Sequence, residues 1–440
     1  MTERPTLSRP VAVPQSRLSR LARLGGMASG VAGGMAVEGV RQIGRGARPE
    51  LRDLLLTPAN IGRVTDQLAR MRGAAMKVGQ LVSMDTGEML PPELAQIMAR
   101  LRAEADHMPP KQLKTVLTAA WGPDWVKRFR RFDVRPIAAA SIGQVHRAQT
   151  RDGRDLALKV QYPGVRRSID SDVTNVGALI KVSGLLPPGL DMAPLLDEAR
   201  KQLHEETDYL REGAQLARFG ALMADAPDIR VPALAEDFTT ETVLAMGFVA
   251  GVPVEEMTSA AQATRDRIGA QLIDLSLREL FAFGVMQTDP NFANFFYDTE
   301  AETLVLLDFG ATREVPAEIA AQYRRVMQAG MAGDRAALEQ AAEEIGFFAP
   351  DSAPHHRAAV LEMIWAIFDA LRTPGPFDFA DPALQDRLRA AGLALAEDRS
   401  FAHVPPMDVL FVQRKFAGMF LLAARLGARV DVRAIVARYV

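Results

Sequence analysis

Asp289-Pro290-Asn291-Phe292-Ala293-Asn294 is followed, after an apolar run, by Leu304-Val305-Leu306-Leu307-Asp308-Phe309-Gly310. Phosphoryl transfer needs a divalent cation held against nucleotide phosphates, and a carboxylate beside the accepting hydroxyl or water. Asp289 offers the loop carboxylate, Asn294 follows five residues later, and Asp308 ends an apolar strand. A lone Asp-Phe-Gly is a weak signal, because Asp-X-Gly is also a common turn. The two motifs in this order, with Asn294 and Asp308 fourteen residues apart, are a strong one.

Chemistry of this kind also calls for a lysine on an upstream strand. Leu156-Ala157-Leu158-Lys159-Val160 places Lys159 in an apolar run, so its ammonium is expected to enter a cleft and to need a partner. The helical stretch Asp197–Met223 offers Glu205, Glu206 and Glu212, and the residues alone leave that choice open. Before the lysine lies Ala138-Ala139-Ala140-Ser141-Ile142-Gly143-Gln144-Val145. Laid on the phosphate-loop pattern GxGxxGxV, Ala138 and Ala140 replace the first two glycines, while Gly143 and Val145 match. Each added Cβ restricts φ and adds bulk, so nucleotide is expected to bind in an altered pose.

Working outward, the 440 residues are 48% hydrophobic and 24% charged, and exceed what one core usually supports. Two unequal lobes with a cleft between them, in an α+β fold, are expected from a β-rich segment followed by an α-rich one. The period changes at Phe132: Val134–Arg147 and Asp155–Gln161 read as strands about a turn at Asp152-Gly153, helix returns over Asp191–Met223, and Thr242–Phe248 reads as a strand. Beyond Ala260 the chain reads as mainly helical, broken by Asp289–Asp298 and the strand Thr303–Leu307. The expected divisions are a basic arm (1–50), a helical extension (51–130), a lobe with inserted helices (131–250) and a helical lobe (251–440). Trp121, Trp125 and Phe129–Phe132 read as packing residues.

Several function classes drop out. The chain has no cysteine, which excludes disulfides, thiolate metal sites and a cysteine nucleophile. His355-His356 is the only adjacent histidine pair and lacks HExxH spacing, against a zinc hydrolase. A net charge of −2 gives no argument for a nucleic-acid partner. No run reaches the roughly 18–20 apolar residues that span a bilayer, and no signal peptide with a cleavage site is visible. A cytoplasmic chain, peripheral to the inner membrane, is expected. The first 50 residues carry eight Arg, no Lys and three Glu. Arg17, Arg20 and Arg23 precede Gly26, Gly30 and Gly34, whose GxxxG spacing suits close helix approach and a homodimer, with arginines beside anionic head groups. A flexible arm is the alternative.

Five motifs in order carry a resemblance. They are Lys77-Val78-Gly79-Gln80, the Ala-rich loop with Ser-Ile-Gly-Gln-Val-His, Leu-Lys-Val-Gln-Tyr-Pro-Gly at 158–164, Glu206-Thr207-Asp208, and Gln-Thr-Asp-Pro-Asn at 287–291. From about residue 51 onward the chain resembles the UbiB family of atypical kinases, also called AarF-domain or ADCK proteins, and within it the coenzyme Q branch. The resemblance implies a bilobal protein-kinase-like fold that binds ATP or ADP with Mg2+. It implies that Lys159 pairs with Glu212, that Asp289 is the catalytic-loop carboxylate, and that Asn294 and Asp308 ligate the metal. The Ala-rich loop would lie on the nucleotide, with Met246 and Phe248 lining its site. Lys77 and Gln80 would reach over the cleft, with Lys77 meeting Glu206 and Asp208.

Such proteins are linked to ubiquinone biosynthesis, with ATPase activity and binding of lipid or quinone intermediates, at the membrane and beside other biosynthetic proteins. After Gly310 the chain runs Ala311-Thr312-Arg313-Glu314-Val315-Pro316 into a helix, with no Ala-Pro-Glu, which argues against peptide docking. Thr288-Asp289 replaces His-Arg-Asp, so a phosphorylated activation loop would find no loop arginine. A pseudokinase scaffold is the alternative function. An aminoglycoside-type phosphotransferase shares the loop but has no reason to carry Lys77-Val78-Gly79-Gln80.

Overall fold

Alternating side chains build the first half of the molecule. In this computed structural model, residues 68, 71–85, 107–183, 192–398, 403 and 405–440 are described. They divide into two compact units, one within Met1–Gly213 and Leu234–Phe248, the other Ala214–Ala233 and Val249–Val440.

The first unit holds an antiparallel sheet of β1 (Phe129–Phe132), β2 (Ala138–Ala139), β3 (Gly143–Thr150), β4 (Asp155–Gln161) and β5 (Val243–Gly247), ordered β1-β3-β4-β5 with β2 also on β3. The expected strand from Val134 is shorter, because the chain turns between β2 and β3. Ala148, Leu156, Leu158, Val160, Val243 and Ala245 face one side. There they meet Leu113, Val116 and Leu117 of α2 (Pro110–Trp121), whose first-turn proline suits a helix start. Trp125, Phe129 and Phe238 close this core, and the Trp121 Nε1–H donates to the Phe238 carbonyl at 3.1 Å. The aromatics are therefore packing residues. The helix α1 (Arg72–Asp85) precedes this core in the chain.

A polar chain crosses that packing. The Met108 N–H donates to Gln144 Oε1 at 2.8 Å, Gln144 Nε2 lies 2.8 Å from His146 Nε2, and His146 Nδ1 lies 2.8 Å from the Asp133 carbonyl. The chain closes if His146 is neutral, with Nδ1–H donating and Nε2 accepting. Burial pushes the His146 pKa down from its ordinary 6.5 to about 4, against the pull of the Asp133 carbonyl.

After β4 come α3 (Val165–Ser183), α4 (Met192–Glu206) and α5 (Tyr209–Leu222). The sequence pattern suggests one helix over the last two. The chain breaks at Thr207-Asp208, where Thr207 Oγ1 bonds back to the His204 carbonyl and Asp208 Oδ1 accepts the Arg211 N–H at 3.0 Å. An aspartate accepting from a first-turn N–H starts a new helix.

The second unit is built on α6 (Gln262–Arg278), buried along most of its last three turns. A π turn, Glu279–Phe283, and Gly284 at φ 61° deliver the chain into β6 (Val285–Gln287). Strand β6 pairs antiparallel with β9 (Thr312–Glu314), while β7 (Phe295–Asp298) pairs with β8 (Thr303–Leu306). Then follow α7 (Ala317–Ala332), α8 (Arg335–Glu344), α9 (Pro354–Arg372), α10 (Pro382–Glu397) and α11 (Met407–Leu426). Leu280, Met286, Tyr323, Val326, Leu338, Phe348 and Val412 share one core. His355 and His356 at the start of α9 both bond Asp398 Oδ2, at 3.0 and 2.8 Å, just past the end of α10. Among the described residues no helix is long and apolar enough to cross a membrane.

Within this core lies an ion pair, Lys415 Nζ to Glu279 Oε2 at 3.0 Å, with both side chains essentially without solvent contact. Burial pushes the Glu279 carboxyl up from the usual carboxylate range, and the Lys415 ammonium pulls it back. Removing one partner strands a charge; replacing both with apolar groups does not. Lys415→Met alone is expected to lower unfolding free energy by about 3–5 kcal/mol, and Glu279→Leu/Lys415→Met to recover most of it. Urea melts of wild type and these two variants check this, and equal losses for the single and the double variant would refute it.

The depressed His146 pKa carries a pH signature. Above about 6.5 the ring is neutral folded or unfolded, so folding is not taxed. As pH falls from 6.5 to about 4 only the unfolded chain gains the proton, and stability falls by on the order of 3 kcal/mol. His146→Gln should start less stable at neutral pH and lose less over that range, as read from urea midpoints.

Candidate functional site

The first unit presents a lysine on a sheet face opposite its aromatic core. The register pairs Val145 with Lys159, Ala157 with Met246 and Lys159 with Leu244. Alternation therefore sets Val145, Lys159, Met246 and Phe248 on one face. Lys159 Nζ donates to both Glu212 oxygens, at 2.8 and 3.0 Å, and lies 5.4 Å from the centre of the Tyr209 ring. Glu212 is in the first turn of α5, where a helix favours negative charge, and its side chain is 1% exposed. Glu205 and Glu206, the other candidates, belong to α4. The Phe248 ring is covered by the Arg147 guanidinium at 3.9 Å.

The Ala-rich loop is a tight hairpin. Ala138 pairs with Val145 and Ala139 with Gln144, and the Ala140 N–H donates to the Gly143 carbonyl at 2.8 Å. Ser141 and Ile142 form its tip, Ser141 exposed and Ile142 buried. Gly143 serves the sheet: a Cβ there would lie 2.5 Å from the Val160 carbonyl oxygen. The close approach that demands glycine is thus to β4.

Helix α1 rests on the hairpin tip through Gly73, whose built Cβ would meet Ile142 Cγ2 at 3.2 Å. One turn on, buried Lys77 forms an ion pair with Glu206, whose other oxygen is 3.3 Å from Ser141 Oγ. Lys77, expected to meet both Glu206 and Asp208, meets one of them. Its ion pair is with Glu206, while Asp208 is turned to cap α5. The side chain of Gln80 and the segment with Arg17, Gly26, Gly30 and Gly34 lie outside the described residues.

In the second unit, the segment after β6 gathers the acidic set. Asn294 Nδ2 donates to Asp289 Oδ2 at 3.1 Å and to the Asp289 carbonyl at 3.3 Å. That orientation aims the donor end of the amide at Asp289 and reserves Oδ1 as an acceptor. The Asp308 Oδ1 accepts the Gly310 N–H at 2.9 Å, which fixes its rotamer. Asn294 and Asp308 line one small cavity, about 10 Å³, with Glu279, Gln287 and Lys415. The two motifs are also tied by backbone: the Leu307 N–H donates to the Asn294 carbonyl at 3.1 Å, and Thr288 Oγ1 donates to the Ala311 carbonyl at 2.8 Å. Amide and carboxylate oxygens are hard donors and suit Mg2+.

Three partners of this segment escaped the sequence reading. Arg414 Nη2 donates to Asp289 Oδ1 at 3.2 Å, so an arginine does reach the loop aspartate, from α11. Lys415 Nζ donates to the Gln287 carbonyl at 3.0 Å, and Glu279 Oε1 accepts the Gln287 N–H at 3.4 Å. The available signal was Arg414-Lys415 set in the apolar helical run Val409–Leu422.

A sequence profile of the ABC1 atypical kinase-like domain matches residues 100–342. The chain is 37% identical over 421 residues to the mitochondrial atypical kinase COQ8 of Saccharomyces cerevisiae, covering 95% of this chain and 83% of that one. It is 39% identical over 428 residues to the mitochondrial atypical kinase COQ8B of Rattus norvegicus, covering 97% and 81%. Among solved structures, the Rv3197–erythromycin complex from Mycobacterium tuberculosis shares the fold with a TM-score of 0.63 at 24% identity, covering 85% of this chain and 93% of that one. With a lysine–glutamate pair in one unit and an Asp–Asn–Asp set in the other, the chain belongs to the ABC1 atypical kinase-like family, the family of its expected UbiB resemblance.

Proposed function

We propose that this protein binds ATP and ADP with Mg2+ and acts as an atypical kinase or ATPase in coenzyme Q biosynthesis, on or with lipid intermediates at a membrane surface. The observation that carries the reading is the set of Asp289, Asn294 and Asp308, with the amide nitrogen of Asn294 spent on Asp289. Asn294 and Asp308 would hold the metal, which supplies charge neutralisation to the phosphates when bound. Lys159, oriented by Glu212, would contact phosphate oxygens. Asp289 would accept the proton of the attacking hydroxyl or water. The hairpin Ala138–Val145 would cover the nucleotide, above Met246 and Phe248.

The acceptor is inferred from what surrounds Gly310. Residues 311–316 lead through β9 directly into α7, and Arg218 pairs with Glu314 on that strand. A segment this short offers no peptide platform. The names of the COQ8 relatives support the quinone pathway, and Lys77, Gln80, Glu206 and Asp208 would close the substrate side.

Asp308→Asn is expected to abolish Mg2+-dependent ATP hydrolysis and to fail in restoring quinone to a strain lacking its own homologue. Full rescue by Asp308→Asn would leave the scaffold reading in its place. For the hairpin, Ala140→Gly removes a Cβ at the turn and should change the ratio of ADP to ATP affinity, measured by thermal shift with each nucleotide. Superimposable curves for the two proteins would reject an altered phosphate loop.

A further inference from the structure

Helix α11 touches the catalytic segment repeatedly along one face. Phe411, Arg414, Lys415 and Gly418 are spaced at i, i+3, i+4 and i+7, a single stripe of a helix. Each meets a different part of the motifs. Phe411 lies under the Arg313 guanidinium at 4.3 Å, three residues beyond Gly310. Arg414 donates to Asp289 Oδ1 at 3.2 Å. Lys415 donates to the Gln287 carbonyl at 3.0 Å and pairs with Glu279. Gly418 lies against Pro290 so closely that a Cβ would stand 2.2 Å from the Pro290 Cβ. Two turns further, the Arg425 guanidinium lies 5.9 Å from the centre of the Phe292 ring.

The loop is held from its own side as well. Asn294 takes Asp289 Oδ2 and Arg414 takes Oδ1, so donors on two elements fix both oxygens of one carboxylate. Charge-assisted bonds of this kind are directional and set the plane of the carboxylate. Thr288 stands where an ordinary kinase carries an arginine, and the cation beside the loop aspartate comes from 125 residues later in the chain.

We propose that α11 is the positioning element of segment 287–292, and that Arg414 is the positioning residue for Asp289. The inference rests on the reading of Asp289 as the loop carboxylate. It goes beyond that reading by assigning the carboxylate's geometry to a helix more than 100 residues away in sequence. Arg414 contacts no reacting atom; it acts through Asp289.

The test is hydrogen–deuterium exchange on the full chain, comparing wild type with Arg414→Gln, Arg414→Lys and Gly418→Ala. Arg414→Gln and Gly418→Ala should speed exchange of the amides in 287–294 by about tenfold or more, with strands β3 and β4 as protected as before. Arg414→Lys keeps the charge and should fall between. In ATP hydrolysis, Arg414→Gln should lower kcat by on the order of 10–100-fold with little change in KM, since misplacement rather than nucleotide binding is at fault. Unchanged exchange at 287–294 in both Arg414→Gln and Gly418→Ala overturns the proposal. So does a loss of protection spread evenly over the whole chain. If wild type hydrolyses no ATP, the functional reading falls, and the exchange comparison still decides the role of α11.

Discussion

A lysine and a glutamate with no access to water govern the geometry of the second unit. Taking two charges out of solvent costs several kcal/mol per ion, and their attraction returns that only with good geometry and further hydrogen bonds. Glu279 and Lys415 supply those bonds to one residue. Gln287 gives its N–H to the carboxylate and receives the ammonium on its carbonyl oxygen. Glu279 also ends α6 where the helix dipole is unfavourable to an anion, so the ammonium beside it is required. An apolar pair of equal volume would fill the space. It would leave the backbone of Gln287, two residues before Asp289, without either contact. The pair is better understood as fixing a loop than as adding stability.

The first unit uses buried charge in the same way. Glu212 holds Lys159 by both oxygens, which sets the ammonium on the sheet face with Val145 and Met246. Glu206 joins Lys77 of α1 to Ser141 at the hairpin tip. These carboxylates lie on either side of the Thr207-Asp208 break, so the interruption that makes two helices of one also sends them to two tasks. Had the helix continued, Asp208 would not cap α5, and the first-turn position of Glu212 would be lost.

Much of this was legible because the residues were local. The order Asp289, Asn294, Asp308 needs one loop and one strand, and both are short enough to read from pattern. The strand Asp155–Gln161 was recovered with its ends, because alternation and the Asp152-Gly153 turn agree, and Gly153 adopts φ 96° there. The α+β kinase-like fold followed from the same motifs. What could not be read is non-local. Arg414 meets Asp289 across 125 residues, and Asp133 meets His146 through a carbonyl that every residue carries. The phosphate-loop pattern demands a glycine at Gly143; only the strand pairing shows that the Val160 carbonyl already requires it. The helix Val165–Ser183 is covered only by the expectation of inserted helices in 131–250, and no pattern marks its bounds. Its start follows Pro163 and Gly164 at φ 77°, which read as the end of a strand rather than the opening of a helix.

The loop with the replaced glycines and the short segment after Gly310 are each fastened within their own unit. In this hairpin the Ala140 N–H is spent on the Gly143 carbonyl, and the tip is held through Ser141 and Ile142 against α1 and α4. A loop so fastened has less freedom to move than a glycine-rich one. In the second unit, Thr288 ties the segment after β6 to Ala311, and Arg313 is stacked on Phe411. Segments that move in ordinary kinases are here bonded to neighbouring helices. Within their own units, helix α1 bears on the hairpin tip and helix α11 on the segment after β6.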